Sequence, residues 1–183
     1  MKGRLTTNLA FFNIVNDNVA VSDPNNLTFS IAAGEQRSRG VELDVIGKVT
    51  PDWNIVANYA YLDAETTEDT SDLKGNRLFN APRHSANIWS NYKISSGSLK
   101  GLGFGVGFNF VGERFGDLAN SFKLDSYFLT NAAISYERDN WKAALNFRNL
   151  FDVDYIQGTE NSRRNEIYPG QGFTMIGSVS VKF

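Results

Sequence analysis

The sequence offers few side chains that could carry out catalysis. His84 is its only histidine and cysteine is absent, which excludes a disulfide framework and a thiolate metal site. A histidine metal site or a Ser-His hydrolase would need partner residues that the chain barely offers. We therefore predict no catalytic and no metal-binding residues, and we interpret His84 as an ordinary residue at the start of a strand.

Two other groupings suggest chemistry, but each has a simpler explanation. The acidic residues Asp63, Glu65, Glu68, Asp69 and Asp72 could supply oxygen ligands to a divalent cation. Their spacing is not that of a known calcium loop, so a solvated loop explains them. Glycines at 101, 103, 105 and 107 suggest a nucleotide-binding loop, but no helical pattern follows. Small residues on the polar side of a strand explain these glycines.

Composition narrows the class of protein. The chain has 183 residues, enough for one domain, and its 42% apolar and 21% charged residues are not those of a disordered protein. A net charge of −2 gives no reason to expect nucleic acid as a partner. Aromatic residues make up 13%, and 16 glycines stand against 4 prolines, which favours a sheet protein.

Apolar and polar residues alternate along most of the chain, which indicates strands with one apolar and one polar face. The alternation predicts an all-β fold, an antiparallel meander of about eight strands. Their approximate ranges are 4–21, 35–49, 53–65, 83–95, 99–113, 126–137, 141–150 and 172–183. Most exceed the five or six residues usual in globular proteins and match the roughly 9–11 needed to cross a bilayer at a tilt.

The predicted connections alternate in length. Short turns lie near Pro51, Gly97 and Asp139, and long polar connections span about 22–34, 66–82, 114–125 and 151–171. Outer-membrane barrels have short periplasmic turns and long extracellular loops. If Phe183 ends at the periplasmic side, strand parity places every short turn there and every long connection outside.

A membrane barrel carries its apolar face outward, whereas a soluble sandwich buries it. We predict that one continuous outer surface contains Val41, Leu43, Phe104, Phe108, Ile134, Leu145, Val179 and Phe183. Trp53 and Trp141 directly follow short turns, and Tyr92 and Tyr136 precede them, as an aromatic girdle requires. The alternative is that these aromatics form the core of a soluble sandwich.

Several segments resemble the C-terminal third of ferric-siderophore receptors in the TonB-dependent family. They are Arg39-Gly40-Val41-Glu42-Leu43-Asp44; Asn58-Tyr59-Ala60-Tyr61-Leu62-Asp63-Ala64; Gly75-Asn76 with Asn80-Ala81-Pro82-Arg83-His84 and Trp89; Val111-Gly112-Glu113-Arg114 with Gly116-Asp117; Asn149-Leu150-Phe151-Asp152 with Tyr155; and Tyr168-Pro169-Gly170. No single motif is specific to this family, but the six motifs in this order over residues 39–183 are specific to it. Among these receptors, hydroxamate types such as those for ferrichrome resemble the chain most.

The resemblance implies a bacterial outer-membrane transporter with a plugged barrel of about 22 strands. Residues 1–183 would be the C-terminal portion of that barrel. Residues 1–4 begin no signal peptide, so we expect a fragment without the plug domain, the TonB box and the earlier strands, unable to transport alone. The implied partners are a ferric siderophore as transported ligand, TonB through the missing N-terminal region, and outer-membrane lipid. No cofactor is implied.

Three residues are candidates for ligand binding in such a receptor. Arg163 and Arg164 could help to hold an anionic ferric chelate, although a plain charged loop also explains them. Tyr168 offers a flat apolar face and a hydroxyl group, which suit a chelate with apolar and polar edges. Its alternative role is in an outer aromatic girdle.

Two other classes of function remain as alternatives. An outer-membrane barrel enzyme, such as a lipase or protease, would need a clustered catalytic set. A soluble ligand-binding β-barrel would purify without detergent.

Overall fold

The computed structural model describes residues 5–160 and 166–183, apart from the side chain of residue 27. Throughout these ranges the regular elements are β-strands, as the alternation predicts, and none is a helix. Accordingly, the described residues contain no helix with the length and hydropathy to cross a membrane.

Eight of twelve strands form one antiparallel sheet in which each strand pairs with the next. They are β1 (Leu5–Asp23), β2 (Asn26–Thr50), β3 (Trp53–Glu68), β4 (His84–Lys93), β5 (Leu102–Val111), β8 (Tyr127–Arg138), β9 (Trp141–Arg148) and β12 (Thr174–Val181). Two short hairpins, β6 (Arg114–Phe115) with β7 (Lys123–Leu124) and β10 (Ile156–Thr159) with β11 (Ile167–Pro169), lie within long connections. The predicted meander of about eight strands is confirmed.

The prediction of a long loop at 22–34 is wrong. β1 continues to Asp23 and β2 begins at Asn26, so a tight turn joins them. Asp23 Oδ1 accepts a 2.8 Å hydrogen bond from the Asn25 backbone N–H, the usual way in which an aspartate closes a turn. Polar residues and Gly34 suggest a loop in the sequence, but Gly34 pairs with Val19 in a bulged ladder that tolerates them.

The two ends of the sheet differ, as the sequence predicts for three of its four long connections. Short connections follow β2, β4 and β8, and these lie at one end, which we call the turn end. The other end, the loop end, carries three long connections: loop A (69–83), loop B (112–126) and loop C (149–173). The tight β1–β2 turn also lies at the loop end, on strands that extend beyond their neighbours.

The strand register separates two faces, because residues paired across antiparallel strands point to the same side. Phe104 pairs with Tyr92 and Ile134, and Ile134 pairs with Leu145. The same pairing chain places Val41, Leu43, Phe108 and Val179 on this apolar face and Glu42 and Lys142 on the opposite, polar face. The prediction that these residues share one face is confirmed; Phe183 lies beyond the last residue of β12 and is fully exposed.

No described part of the chain covers the apolar face. The exposed surface is 12016 Å², whereas a compact soluble protein of this mass would expose about 8,800 Å². Only Val21, Ala64 and Leu124 are buried hydrophobic residues within the described ranges. The sheet therefore has no conventional hydrophobic core, which contradicts the soluble-sandwich alternative.

Aromatic residues cluster at the turn end of the apolar face. Trp53 pairs in register with Tyr92, and its indole N–H donates a 2.8 Å hydrogen bond to Ser90 Oγ. The rings of Tyr136 and Trp141 have centroids 5.6 Å apart. The four aromatics that the sequence assigns to a girdle thus lie at the same end of the apolar face.

Candidate functional site

At the loop end, the described parts of loops A, B and C bind one another through hydrogen bonds. Asn80 of loop A donates its backbone N–H to Phe115 O of loop B at 2.9 Å. Its side chain exchanges two hydrogen bonds with the backbone of Thr159 in loop C, with Nδ2–O at 2.8 Å and N–Oδ1 at 3.0 Å. The Thr159 hydroxyl donates to Gly116 O at 2.8 Å. One asparagine therefore joins all three loops.

A second asparagine fastens loop A to loop B. Asn120 Oδ1 accepts the Arg77 backbone N–H at 2.9 Å, and its Nδ2 donates to Arg77 O at 2.8 Å. The residue has a φ of 55°, a left-handed conformation that asparagine tolerates better than most residues. Partial burial lowers the pKa of the Arg77 guanidinium, with like charge on Arg83 as a lesser cause.

Arg114 starts β6 in loop B, and only 2% of its surface is exposed. Its guanidinium donates to Ile156 O at 2.6 Å and Gln157 O at 2.9 Å, and more weakly to Asp125 O at 3.4 Å. The charged group also lies 5.4 Å from the centre of the Tyr127 ring. Burial lowers the pKa of Arg114 because the charged form loses hydration. Carbonyl oxygens and an aromatic face replace that water.

Loop C is closed by Asn149, which is 2% exposed. Its Nδ2 donates to Val153 O at 2.9 Å and to Gln171 O at 3.1 Å, and its Oδ1 accepts the Val153 N–H at 2.9 Å. Asp152 adds a second closure, because its Oδ1 accepts the Phe173 N–H at 2.7 Å. Asn149 thus holds the beginning of loop C against its end.

Aromatic packing fixes the base of loop C. The rings of Tyr155 and Tyr127 lie 4.4 Å apart between centroids. Gly170 lies so close to Tyr155 that an added Cβ would come within 2.0 Å of the ring, so a side chain at this position would displace it. The Tyr168-Pro169-Gly170 segment therefore needs its glycine for close approach.

The three candidate ligand-binding residues are only partly described. Tyr168 lies in β11, opposite Gly158 of β10, and 47% of its surface is exposed. Arg163 and Arg164 lie outside the described residues. The ligand-binding role of all three remains a prediction.

A row of asparagines crosses the polar face, and we call Asn58, Asn87, Asn109 and Asn131 the asparagine ladder. Asn58, Asn87 and Asn109 pair in register across β3, β4 and β5, whereas Asn131 of β8 pairs with Gly107 and reaches Asn109 diagonally. Asn87 Nδ2 donates to Asn58 Oδ1 at 2.9 Å, Asn109 Nδ2 donates to Asn87 Oδ1, and Asn131 Nδ2 donates to Asn109 Oδ1 at 2.6 Å. Asn131 Oδ1 accepts the backbone N–H of Asn149 at 3.0 Å.

The ladder lines a cavity of about 710 Å³ on the polar face, together with Trp89, Arg148 and Gln171. Trp89 lies across Gly105 and Gly107, where an added Cβ would come within 2.5 Å and 2.3 Å of the indole. Those glycines are strand residues on the polar side, as expected. Gly101 is not, since it precedes β5 and has a φ of 96°.

The remaining sequence candidates have structural partners. His84 starts β4 as predicted, and its Nδ1 lies 2.8 Å from the Tyr59 hydroxyl. Within the acidic run, Asp63 pairs with Arg39 at 2.9 Å and Glu65 pairs with Arg37. Among the described residues no group of three or more metal-ligating side chains comes together.

Alternation in the sequence marks these asparagines as polar-side residues but does not show that they form a connected row. The signal was present, because each of four consecutive long strands has an asparagine among its polar-side residues. Recognising the ladder requires the register of every pair, since a slip of one residue would move an asparagine to the other face.

Comparison with known proteins gives consistent matches. A family model described as "TonB dependent receptor-like, beta-barrel" matches residues 1–150. The chain is 37% identical over 158 residues to the ferrichrome outer membrane transporter/phage receptor of Escherichia coli K12, covering 84% of this chain and 21% of that protein. It is 37% identical over 164 residues to the metal-pseudopaline receptor CntO of Pseudomonas aeruginosa, covering 88% of this chain and 23% of that protein.

Solved structures agree with these matches. The siderophore receptor PiuA from Acinetobacter baumannii superposes with a TM-score of 0.86 at 28% identity, covering 100% of this chain and 27% of that chain. The chain therefore spans about a fifth to a quarter of the length of the relatives that it matches.

Proposed function

Because the chain belongs to the TonB-dependent receptor β-barrel family, we propose that it forms the C-terminal wall of a receptor that takes up ferric siderophores with energy supplied through TonB. Members of this family are outer-membrane receptors rather than enzymes. The eight-stranded sheet is one arc of the barrel, and the rest of the receptor supplies the other strands, the plug and the contact with TonB.

The two-faced sheet supports a place in the membrane. On the apolar face of β3, Trp53 and Tyr61 are separated by eight residues, or about 26 Å along the strand. Strands of such barrels tilt by about 35–45°, so the two levels lie about 20 Å apart across a membrane whose apolar band is about 25 Å. Lipid would cover the apolar face, and the polar face would line the lumen.

The loop end is then the extracellular end, where a ligand arrives. Loops on a rigid scaffold are where binding residues concentrate, and the described parts of loops A, B and C bind one another there. Tyr168 projects from the β10–β11 hairpin of loop C with half of its surface free. With Arg163 and Arg164, it is our proposed contact for an anionic ferric chelate.

One observation carries the choice of ligand class. Relatives that align with most of this chain are named as receptors for ferrichrome, at 37% identity, and for ferrioxamine B, at 32% identity. The metal-pseudopaline receptor is also 37% identical, so a metal complex of pseudopaline is the second candidate ligand.

Uptake of radioactive metal by cells that produce the complete receptor tests the proposal. Cells lacking their other metal-chelate receptors would be supplied with ferrichrome, ferrioxamine B or metal-pseudopaline. We expect saturable uptake of at least one of the first two, lost on deletion of the receptor or of TonB. Uptake of pseudopaline alone would favour the second candidate. Uptake of none of them, or uptake that does not need TonB, would contradict the proposal.

A further inference from the structure

The asparagine ladder ends on the residue that closes loop C, and this connection has a consequence for the receptor. We propose that the ladder positions loop C from inside the barrel, with Asn149 as the positioning residue that joins the two. The proposal concerns hydrogen bonds within this chain and does not depend on which ligand the receptor carries.

The direction of the ladder is set at one point. A backbone N–H can only donate, so the Asn149 N–H must meet the side-chain oxygen of Asn131. The Asn131 amide N–H₂ is then turned towards Asn109, whose oxygen must accept it. The same requirement passes to Asn87 and Asn58, so every amide in the row has the same orientation. Amide orientation is normally ambiguous, and here one backbone group decides it.

Burial increases along the ladder towards loop C. Asn58 and Asn87 are exposed on the polar face, Asn109 and Asn131 are half-buried, and Asn149 is 2% exposed. Hydrogen bonds are stronger where water is excluded, and bonds arranged in a chain polarise one another. The ladder therefore has an open end in the lumen and a strong end beneath loop C.

At the strong end, one side chain controls both ends of the loop. Asn149 has a φ of 47°, a left-handed conformation that asparagine tolerates and that β8 supports here. Two hydrogen bonds to β8 supply that support. The Asn131 side-chain oxygen accepts the Asn149 N–H, and Thr130 O accepts the Leu150 N–H at 2.7 Å. Asn149 then holds Val153 and Gln171, between which the β10–β11 hairpin projects.

A group in the lumen that competes for a ladder amide would therefore disturb the support of loop C. If loop C binds the chelate as proposed above, the occupancy of the lumen and the shape of the binding loop are linked. This consequence rests on the proposed function, whereas the positioning of loop C by the ladder does not.

Hydrogen–deuterium exchange of the complete receptor in detergent tests the positioning. The variant Asn131→Leu removes the acceptor of the Asn149 N–H. We expect exchange in peptides covering 149–160 and 166–173 to rise about tenfold, as befits the loss of a buried hydrogen bond. Asn131→Asp retains an oxygen for that N–H while losing the amide that points to Asn109. We expect it to leave the exchange at Asn149 within about twofold of the unmodified receptor.

A matched control separates the ladder from a general effect of removing polar groups. Asn146 lies on the polar face of β9, three residues before Asn149, but outside the ladder. Asn146→Leu makes the same substitution closer in sequence to loop C and should leave loop C exchange unchanged. A rise equal to that of Asn131→Leu would overturn the proposal.

A variant one strand further away tests whether the ladder acts as a unit. Asn109→Leu leaves the Asn131–Asn149 bond in place but removes the acceptor of the Asn131 amide N–H₂. We expect the loop C exchange of Asn109→Leu to lie between the exchange of Asn131→Leu and that of the Asn146→Leu control. Exchange equal to that of the control would mean that the Asn131–Asn149 bond alone positions loop C, and it would contradict the proposal. Because exchange is read without a siderophore, a failure of the proposed transport would not affect the result.

Discussion

At the loop end, hydrogen bonds from single side chains hold the loops together, a role that a hydrophobic core has in a soluble domain. Arg114 has no carboxylate partner within hydrogen-bonding distance among the described residues, yet it is almost fully buried. Its planar group reaches carbonyls on two loops at once, which the single ammonium of a lysine cannot match. Asn80, Asn120 and Asn149 likewise bind backbone groups that a loop would otherwise leave to water.

The exposed Tyr168 is the residue whose function is most directly testable. Replacing it by alanine in the complete receptor removes a flat contact surface, and we expect affinity for the ferric siderophore to fall about tenfold, or 1–2 kcal/mol. Tyr168→Phe, which retains the ring, should lose less. Titration of the purified receptor measures both. Unchanged affinity in Tyr168→Ala, with the barrel folded, would leave this residue in the outer aromatic girdle.

The strands are the elements that separate a lipid-facing surface from a water-facing one. Alternation assigns residues to two sets, and pairing aligns the sets across the eight strands into continuous faces. The apolar face consists of side chains such as Phe104, Ile134 and Leu145, each more than a third exposed in the isolated sheet. The polar face carries the asparagine ladder and the glycines beneath Trp89.

Neighbouring positions on β9 allow a direct test of the two faces. Leu145 is on the apolar face and Ala144 is on the polar face, beside Ser135 and Ser178. In the complete receptor folded into lipid vesicles, Leu145→Arg should destabilise the barrel by about 2–4 kcal/mol, because arginine is costly near the bilayer midplane. Ala144→Arg should have a much smaller effect. Denaturant titration gives both values, and equal destabilisation would show that the faces are assigned wrongly.

At the scale of the whole molecule, the described sheet is open. β1 and β12 each pair with one neighbour only, so each leaves one edge of backbone groups unpaired. In a complete barrel, further strands close this gap and remove the edges. The described sheet therefore has two free edges and is not closed into a barrel.

Isolation of these 183 residues tests whether the open sheet can close by itself. We expect the chain refolded in detergent to associate through its free edges, without the heat-resistant migration on gels of a closed monomeric barrel. Sedimentation analysis measures the association. A stable monomer that resists heating would show that the strands can close among themselves.

Much of this fold could be predicted from the sequence. Side chains alternate in direction at every residue of a strand, so local composition alone indicates strand positions, the apolar set and the order of short and long connections. The motifs from Arg39 to Gly170 indicated the family. The one large error, the loop predicted at 22–34, arose because polar residues and a glycine are compatible with both a loop and a bulged strand.

The tertiary structure alone decided how the loops and the polar face are organised. Asn80 binds Thr159 across 79 positions of sequence, and Arg114 binds carbonyls 42 and 43 positions away. No local pattern encodes such contacts, because they depend on where the strands place the loop ends in space. The asparagine ladder has the same origin, because its residues are ordinary polar positions until strand pairing brings them together. Only then does the backbone N–H of Asn149 set the orientation of the side-chain amides along the ladder.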